Sequence, residues 1–123
     1  EPALYTSAEI SIADLRALPR VSLHEMHCLG QQISGFCAQR RVGPNIVCHT
    51  TQLPTLLEFV RLGLGVSIVP EMAAKHDRSP DRRYARFKRQ APRRDIAVAR
   101  RSGRSISRVA DRFANLVAAR LIA

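Results

Sequence analysis

Long apolar runs are missing from this chain. No stretch approaches the roughly 20 residues of a membrane span, so no membrane partner is expected. The opening Glu1-Pro2-Ala3-Leu4 lacks the basic-then-apolar order of a secretory signal. Cysteine is scarce: three residues, an odd number, with no CxxC spacing. That argues against a disulfide-stapled secreted fold and for a reducing compartment, so a cytoplasmic location is expected. Nucleophile elbow, P-loop and HExxH are all absent. Cysteine and histidine do meet at His24, His27 and Cys28, but no third orienting group or oxyanion device accompanies them. Neither an enzyme nor a cofactor is expected. There is no internal repeat, and lysine is nearly missing, with only Lys75 and Lys88.

What is present is one domain's worth of chain. The 123 residues, 46% of them apolar, can build a single hydrophobic core. Twenty Lys+Arg against ten Asp+Glu give a net charge of +10. The excess is arginine and it is local: Arg78 to Arg104 holds eleven basic residues against Asp81 and Asp95. Such a stripe fits a phosphate-binding surface, a solvated face or a dock for an acidic partner, and no groove-reading motif accompanies it.

The chain is organised around His27-Cys28-Leu29-Gly30-Gln31-Gln32-Ile33-Ser34-Gly35-Phe36-Cys37. Leu29, Ile33, Phe36 and Cys37 recur at helical offsets. On a continuous helix, nine residues are about 13.5 Å of rise and roughly 900° of rotation, so Cys28 and Cys37 fall on nearly opposite faces. A disulfide needs Cα atoms within about 7 Å. Either the two are unrelated small core residues, or they form a switch in which oxidation costs the local fold. A zinc site from His24, His27, Cys28 and Cys37 meets the same separation, so no metal is expected.

In order, residues 1–10 read as an extended lead-in. Ser11 caps a short helix over 12–18, with Asp14 suited to its positive end, and Pro19 stops it. Residues 20–24 alternate as a strand. The central helix runs over 28–41, with Arg40 and Arg41 in its last turn, Gly43 near C′ and Pro44 beyond. A strand over 45–49 leads to Thr50-Thr51, a double N-cap candidate for a helix over 52–62, with Pro54 in its first turn. A buried strand over 66–69, one helical turn at 71–75 and a polar loop at 77–81 follow. Strand candidates at 84–87 and 96–99 precede a last helix with Ile106, Val109, Phe113, Leu116, Val117 and Leu121 on its apolar face. This alternation predicts an α/β fold with a mainly parallel sheet.

Placed on these elements, His27-Cys28-Leu29 with Gly35-Phe36-Cys37, then Thr50-Thr51-Gln52-Leu53, then Gly63-Leu64-Gly65-Val66-Ser67-Ile68-Val69-Pro70, resembles the regulatory domain of LysR-type transcriptional regulators. His-Cys-Leu with a second cysteine nine residues on, and Pro92-Arg93-Arg94-Asp95-Ile96, are similar to its peroxide-sensing, OxyR-like branch. The chain departs from that branch at Gly30-Gln31-Gln32, where Arg-Asp-Gln is usual, and at Val47, where a histidine is expected.

The resemblance implies a periplasmic-binding-protein-like second lobe over about 10–90. The return strand and C-terminal helix of the first lobe would occupy about 91–123. It also implies that the winged helix-turn-helix and most of the first lobe lie outside these residues, so that DNA is met only through that absent domain. Cys28 would be the peroxidatic cysteine and Cys37 the resolving one. His27, Leu29, Thr50, Thr51 and Arg94 would belong to the effector cleft. The expected effector is peroxide or, alternatively, a small anionic metabolite. Partners are the chain's own missing segments and, by covering the apolar face of the last helix, a second copy.

Overall fold

The computed structural model describes residues 5–122 and divides after Pro92 into two compact units, 1–92 and 93–123. The opening Glu1–Leu4 lies outside the described residues. The order is β1 (Tyr5–Ile10), α1 (Ile12–Ala17), β2 (Arg20–Leu23), α2 (Cys28–Gln39), β3 (Ile46–Thr50), α3 (Leu53–Arg61), α4 (Glu71–His76), β4 (Tyr84–Phe87) and α5 (Arg108–Ile122). β2 pairs in parallel with β3, Leu23 opposite Thr50, and β1 pairs in parallel with β4, Ile10 opposite Phe87. Mixed helix and parallel sheet is thus the observed architecture. Residues 5–10, expected as part of an extended lead-in, form a strand because β4 supplies a ladder partner distant in sequence.

Period-two alternation along β2 divides the core of the first unit. Val21 and Leu23 face α3, where Leu56 is fully buried and Leu29, Cys48 and Leu53 pack around them. Complete burial of a side chain such as Leu56 contributes about 1.5–3 kcal/mol. A second cluster joins Leu15, Phe36, Cys37 and Val42, with Phe87 edge-on to Phe36 at 5.5 Å between centroids. Ser11 and Asp14 close the expected cap of α1 as a reciprocal box: Ser11 Oγ accepts from the Asp14 amide at 3.1 Å, and Asp14 Oδ2 from the Ser11 amide at 2.9 Å.

Four expectations need correcting. Arg41, not Gly43, takes the left-handed position after α2, with φ of 52°. The Arg41 amide donates to Ala38 O at 3.1 Å and the Val42 amide to Cys37 O at 2.9 Å, the two bonds of a Schellman motif. α2 therefore ends at Gln39, before Arg40 and Arg41. α3 is N-capped by Gln52, without a side-chain bond. Thr50 stays in the ladder, and its Oγ1 only accepts from the Gln52 amide at 3.3 Å. Residues 66–69 are half-buried and only Val66 bridges to β2, at Arg20. Ile68 and Val69 still alternate, one into each apolar cluster.

In the second unit, residues 96–99 form no strand. Ile96 and Val98 are exposed, and a β pattern without a ladder partner leaves its backbone unpaired. Ile106 lies ahead of α5, whose first turn is held by Ser107 Oγ accepting from the Ala110 amide at 3.2 Å. Its expected apolar face is exposed at Val109, Phe113 and Leu116.

Candidate functional site

Because β2 and β3 are parallel and end in register, the chain leaves both at the same end of the sheet. α2 and α3 start just beyond. The His24 amide donates to Thr50 O at 2.8 Å and extends the pairing by one residue. The turn that follows is tied down from several sides. His24 Nδ1 accepts from the Met26 amide at 3.2 Å, and His24 O accepts from the His27 amide at 3.2 Å. Ser34 Oγ donates to Glu25 Oε1 at 2.5 Å, and the His24 and His49 rings meet edge-on at 6.3 Å.

Gly30 completes the turn. A Cβ there would collide with the His24 carbonyl oxygen and sit 3.0 Å from that of Leu23. This gives a reason for glycine where the resembled pattern carries arginine: α2 lies directly against the turn. Gly35, on the same helix, has nothing within 4 Å of where its Cβ would be. Gly30→Ala is therefore expected to destabilise by about 1–3 kcal/mol through overpacking. Gly35→Ala is expected to stabilise by about 0.5–1 kcal/mol through helix propensity. Urea denaturation of the two variants checks the opposite signs.

Cys28 is the first residue of α2 and is exposed; His27 is its N-cap and makes no side-chain cap bond. Cys37 lies nine residues along the same uninterrupted helix and is buried among Leu15, Phe36 and Val42. Burial pushes its thiol pKa up, and the charge of Arg20 pulls partly against that. No disulfide joins Cys28, Cys37 or Cys48. Cys48 is half-buried, packs on the Val21–Leu23–Leu56 cluster, and reads as core.

The other expected site residues are distributed unevenly. Leu29 is half-buried and packs on the α3-side cluster. Thr50 and Thr51 lie at the same sheet end as His27 and Cys28, with Thr50 half-buried and Thr51 exposed. Arg94 is exposed in the second unit. Among the described residues, no three His, Cys, Asp or Glu side chains gather to hold a metal ion. No helix among them is long and apolar enough to cross a membrane.

The arginine stripe is not uniformly solvated. Arg82 is clamped to Asp77, with Nε–Oδ2 at 2.5 Å and Nη2–Oδ1 at 2.6 Å, and reaches Glu58 at 2.8 Å; Arg86 pairs with Glu71 at 3.0 Å. Sequence reasoning missed the buried Arg20, the contact that demands Gly30, and the Ser34–Glu25 brace. Only Arg20 carried a signal, as a charge opening an alternating strand.

The model of the LysR substrate binding domain matches residues 2–122. Among curated proteins, the chain is 28% identical over 113 residues to the DNA-binding transcriptional dual regulator OxyR of Escherichia coli (strain K12). That match covers 91% of this chain and 37% of that protein. It is 30% identical over 95 residues to the hydrogen peroxide-inducible genes activators of Dickeya chrysanthemi and Pectobacterium carotovorum subsp. carotovorum. Each match covers 76% of this chain, and 31% and 32% of those proteins. The chain thus spans about a third of the length of these relatives. No solved structure matches it.

Proposed function

The chain belongs to the LysR substrate-binding domain family, whose fold is periplasmic-binding-protein-like, and from that premise we propose that it is the effector-sensing part of a cytoplasmic transcriptional regulator. In this reading it responds to peroxide through a Cys28–Cys37 thiol/disulfide switch. The Cys28 thiolate attacks a peroxide oxygen, giving a sulfenic acid and releasing hydroxide. The Cys37 thiol then displaces the sulfenic oxygen as water, and the S–S bond forms. It is a signalling event on the protein itself, with no turnover.

One observation carries the reading: an exposed cysteine opens an unbroken helix that buries the second cysteine nine residues later. Ring closure is then incompatible with the reduced helix, so the covalent event biases a two-state element. The names of the relatives, hydrogen peroxide-inducible genes activators, point the same way. Residues about 10–90 serve as the second lobe, and about 91–123 as the return strand and helix of the first. The exposed Ile96, Val98 and α5 face fit a surface covered by the first-lobe segments or by a second copy. DNA is bound by the winged helix-turn-helix outside this chain.

A brief, near-stoichiometric peroxide pulse on the reduced protein, followed by a disulfide map, tests this. A rapid Cys28–Cys37 bond that is lost in Cys28→Ser is the expected result. Slow, unselective oxidation sinks it. A second reading, binding of a small anionic metabolite near Cys28, Thr50 and Thr51, draws on α2 and α3 both lacking a side-chain N-cap bond, which leaves amide donors at their ends. Saturable carboxylate binding by Cys28→Ser would favour it.

A further inference from the structure

Arg20 opens β2, and strand alternation sends its side chain to the face opposite Val21 and Leu23. There it lines a cavity of about 230 Å3 together with Cys37, Val42 and Gly43. The residue is only 5% exposed. Its Nη2 donates to the Gly43 carbonyl. Its Nη1 is buried and, among the described residues, has no acceptor. The ion pairs recorded among these residues involve Arg61, Lys75, Arg82 and Arg86, and none involves Arg20.

A guanidinium cannot shed its proton. An ordered water could satisfy the orphan donor, but it would leave a buried charge without a counter-charge, the costlier of the two deficits. Of the lining groups able to become negative, burial holds the Cys37 thiol neutral, and the Glu25 carboxylate is engaged by Ser34 rather than by Arg20. The cavity has room for several waters or one small ion, and it is too small for a drug-sized ligand. Glu25, tied to Ser34 beyond the other end of β2, also lines it and disfavours a dianion or a long occupant. The net charge of +10 raises the local anion concentration.

We propose that this cavity is a binding site for one small monovalent anion, a halide or a short carboxylate, held by Arg20 Nη1 beside Cys37. The anion would sit at the starting end of β2, in a cavity that extends along the strand to Glu25; Cys37 forms part of the wall, but binding at Arg20 does not require the cysteine to react. An occupant neutralises Arg20, so it also removes the charge that favours ionisation of Cys37.

The test compares bromide with the bulky anion gluconate at fixed ionic strength. Bromide at ten times its dissociation constant is expected to raise the melting temperature by about 5 °C. Arg20→Met, which keeps length and removes charge, is expected to abolish that rise. Anomalous diffraction from bromide-soaked, halide-free crystals of the unsubstituted protein should place a bromine peak at Arg20, and this arm stands even if Arg20→Met does not fold. Equal melting in both salts, an equal bromide shift in Arg20→Met, or a water alone at Nη1 would each overturn the site.

Discussion

Protein oxidised to the Cys28–Cys37 disulfide is expected to lose far-UV helical signal equivalent to most of the 12 residues of α2. The two Cα atoms start about 13.5 Å apart along a helix axis and must come within about 7 Å. No rotamer change covers that gap, so backbone hydrogen bonds between the cysteines have to open. The loss does not stay local. Cys37 lies in one cluster with Phe36, Leu15 and Val42, and Cys37 O closes the C-terminal motif by accepting from the Val42 amide. Pulling Cys37 outward therefore uncouples Phe36 and the turn into β3. The cost should be comparable to deleting a buried phenyl ring, about 3 kcal/mol. Circular dichroism and amide exchange over 29–38 measure it, with oxidised Cys28→Ser as the unchanged control. An oxidised pair that retained full helicity would show that the bond forms without switching anything.

Removing Arg82 is expected to damage stability as much, for a different reason. Asp77 is buried, yet its carboxylate accepts from Arg82 twice, from Tyr84 Oη at 2.5 Å and from the Ser79 amide at 3.1 Å. The Arg82 bonds hold its pKa far below the usual carboxylate range, against the opposing effect of burial. Arg82→Ala leaves that charge buried without its cation, a loss of about 3–5 kcal/mol and on the order of 10 °C in melting temperature. Arg61→Ala, which removes a cation from the exposed Glu58, should change stability by about 0.5 kcal/mol or less.

The pH profile separates the mechanisms. A carboxyl whose folded pKa is lowered contributes stability that is complete above its ordinary value near 4. That stability is lost as pH falls toward the lowered value. The deficit of Arg82→Ala should therefore be largest near neutrality and shrink below about pH 4. At the alkaline end, burial and then the bond to Asp77 push the Tyr84 phenol up to about 12. A raised phenol stabilises fully below its ordinary value near 10, and that contribution disappears as pH rises from there toward 12. Urea titrations across this range, with Tyr84→Phe for the alkaline limb, read both arms.

Local chemistry made the helices legible: a Ser11–Asp14 box, Pro54 in the first turn of α3 and the spacing of Leu29, Ile33 and Phe36 each act within a few residues. The central cysteine helix and its family resemblance were legible for the same reason. Pairing was not. Residues 5–10 lack a strong period yet form a strand, because β4 lies beside them. Residues 96–99 have the apolar alternation yet form none. Thr50 looks like a helix cap, but the ladder bond from His24 to its carbonyl keeps it in β3. Arg20 shows the limit most plainly: one more arginine in an arginine-rich chain, its burial follows only from which face of β2 meets α2.

The pairing of β1 with β4 has a mechanical side. These are the first and last strands of the first unit, and they run parallel, Tyr5 opposite Tyr84 and Ile10 opposite Phe87. Tension entering at residue 5 and leaving at residue 87 pulls the strands past each other lengthwise. The ladder bonds then share the load instead of parting one after another, as they would in a hairpin peeled from its open end. A pull on the chain through this unit meets the ladder in shear, its most resistant direction.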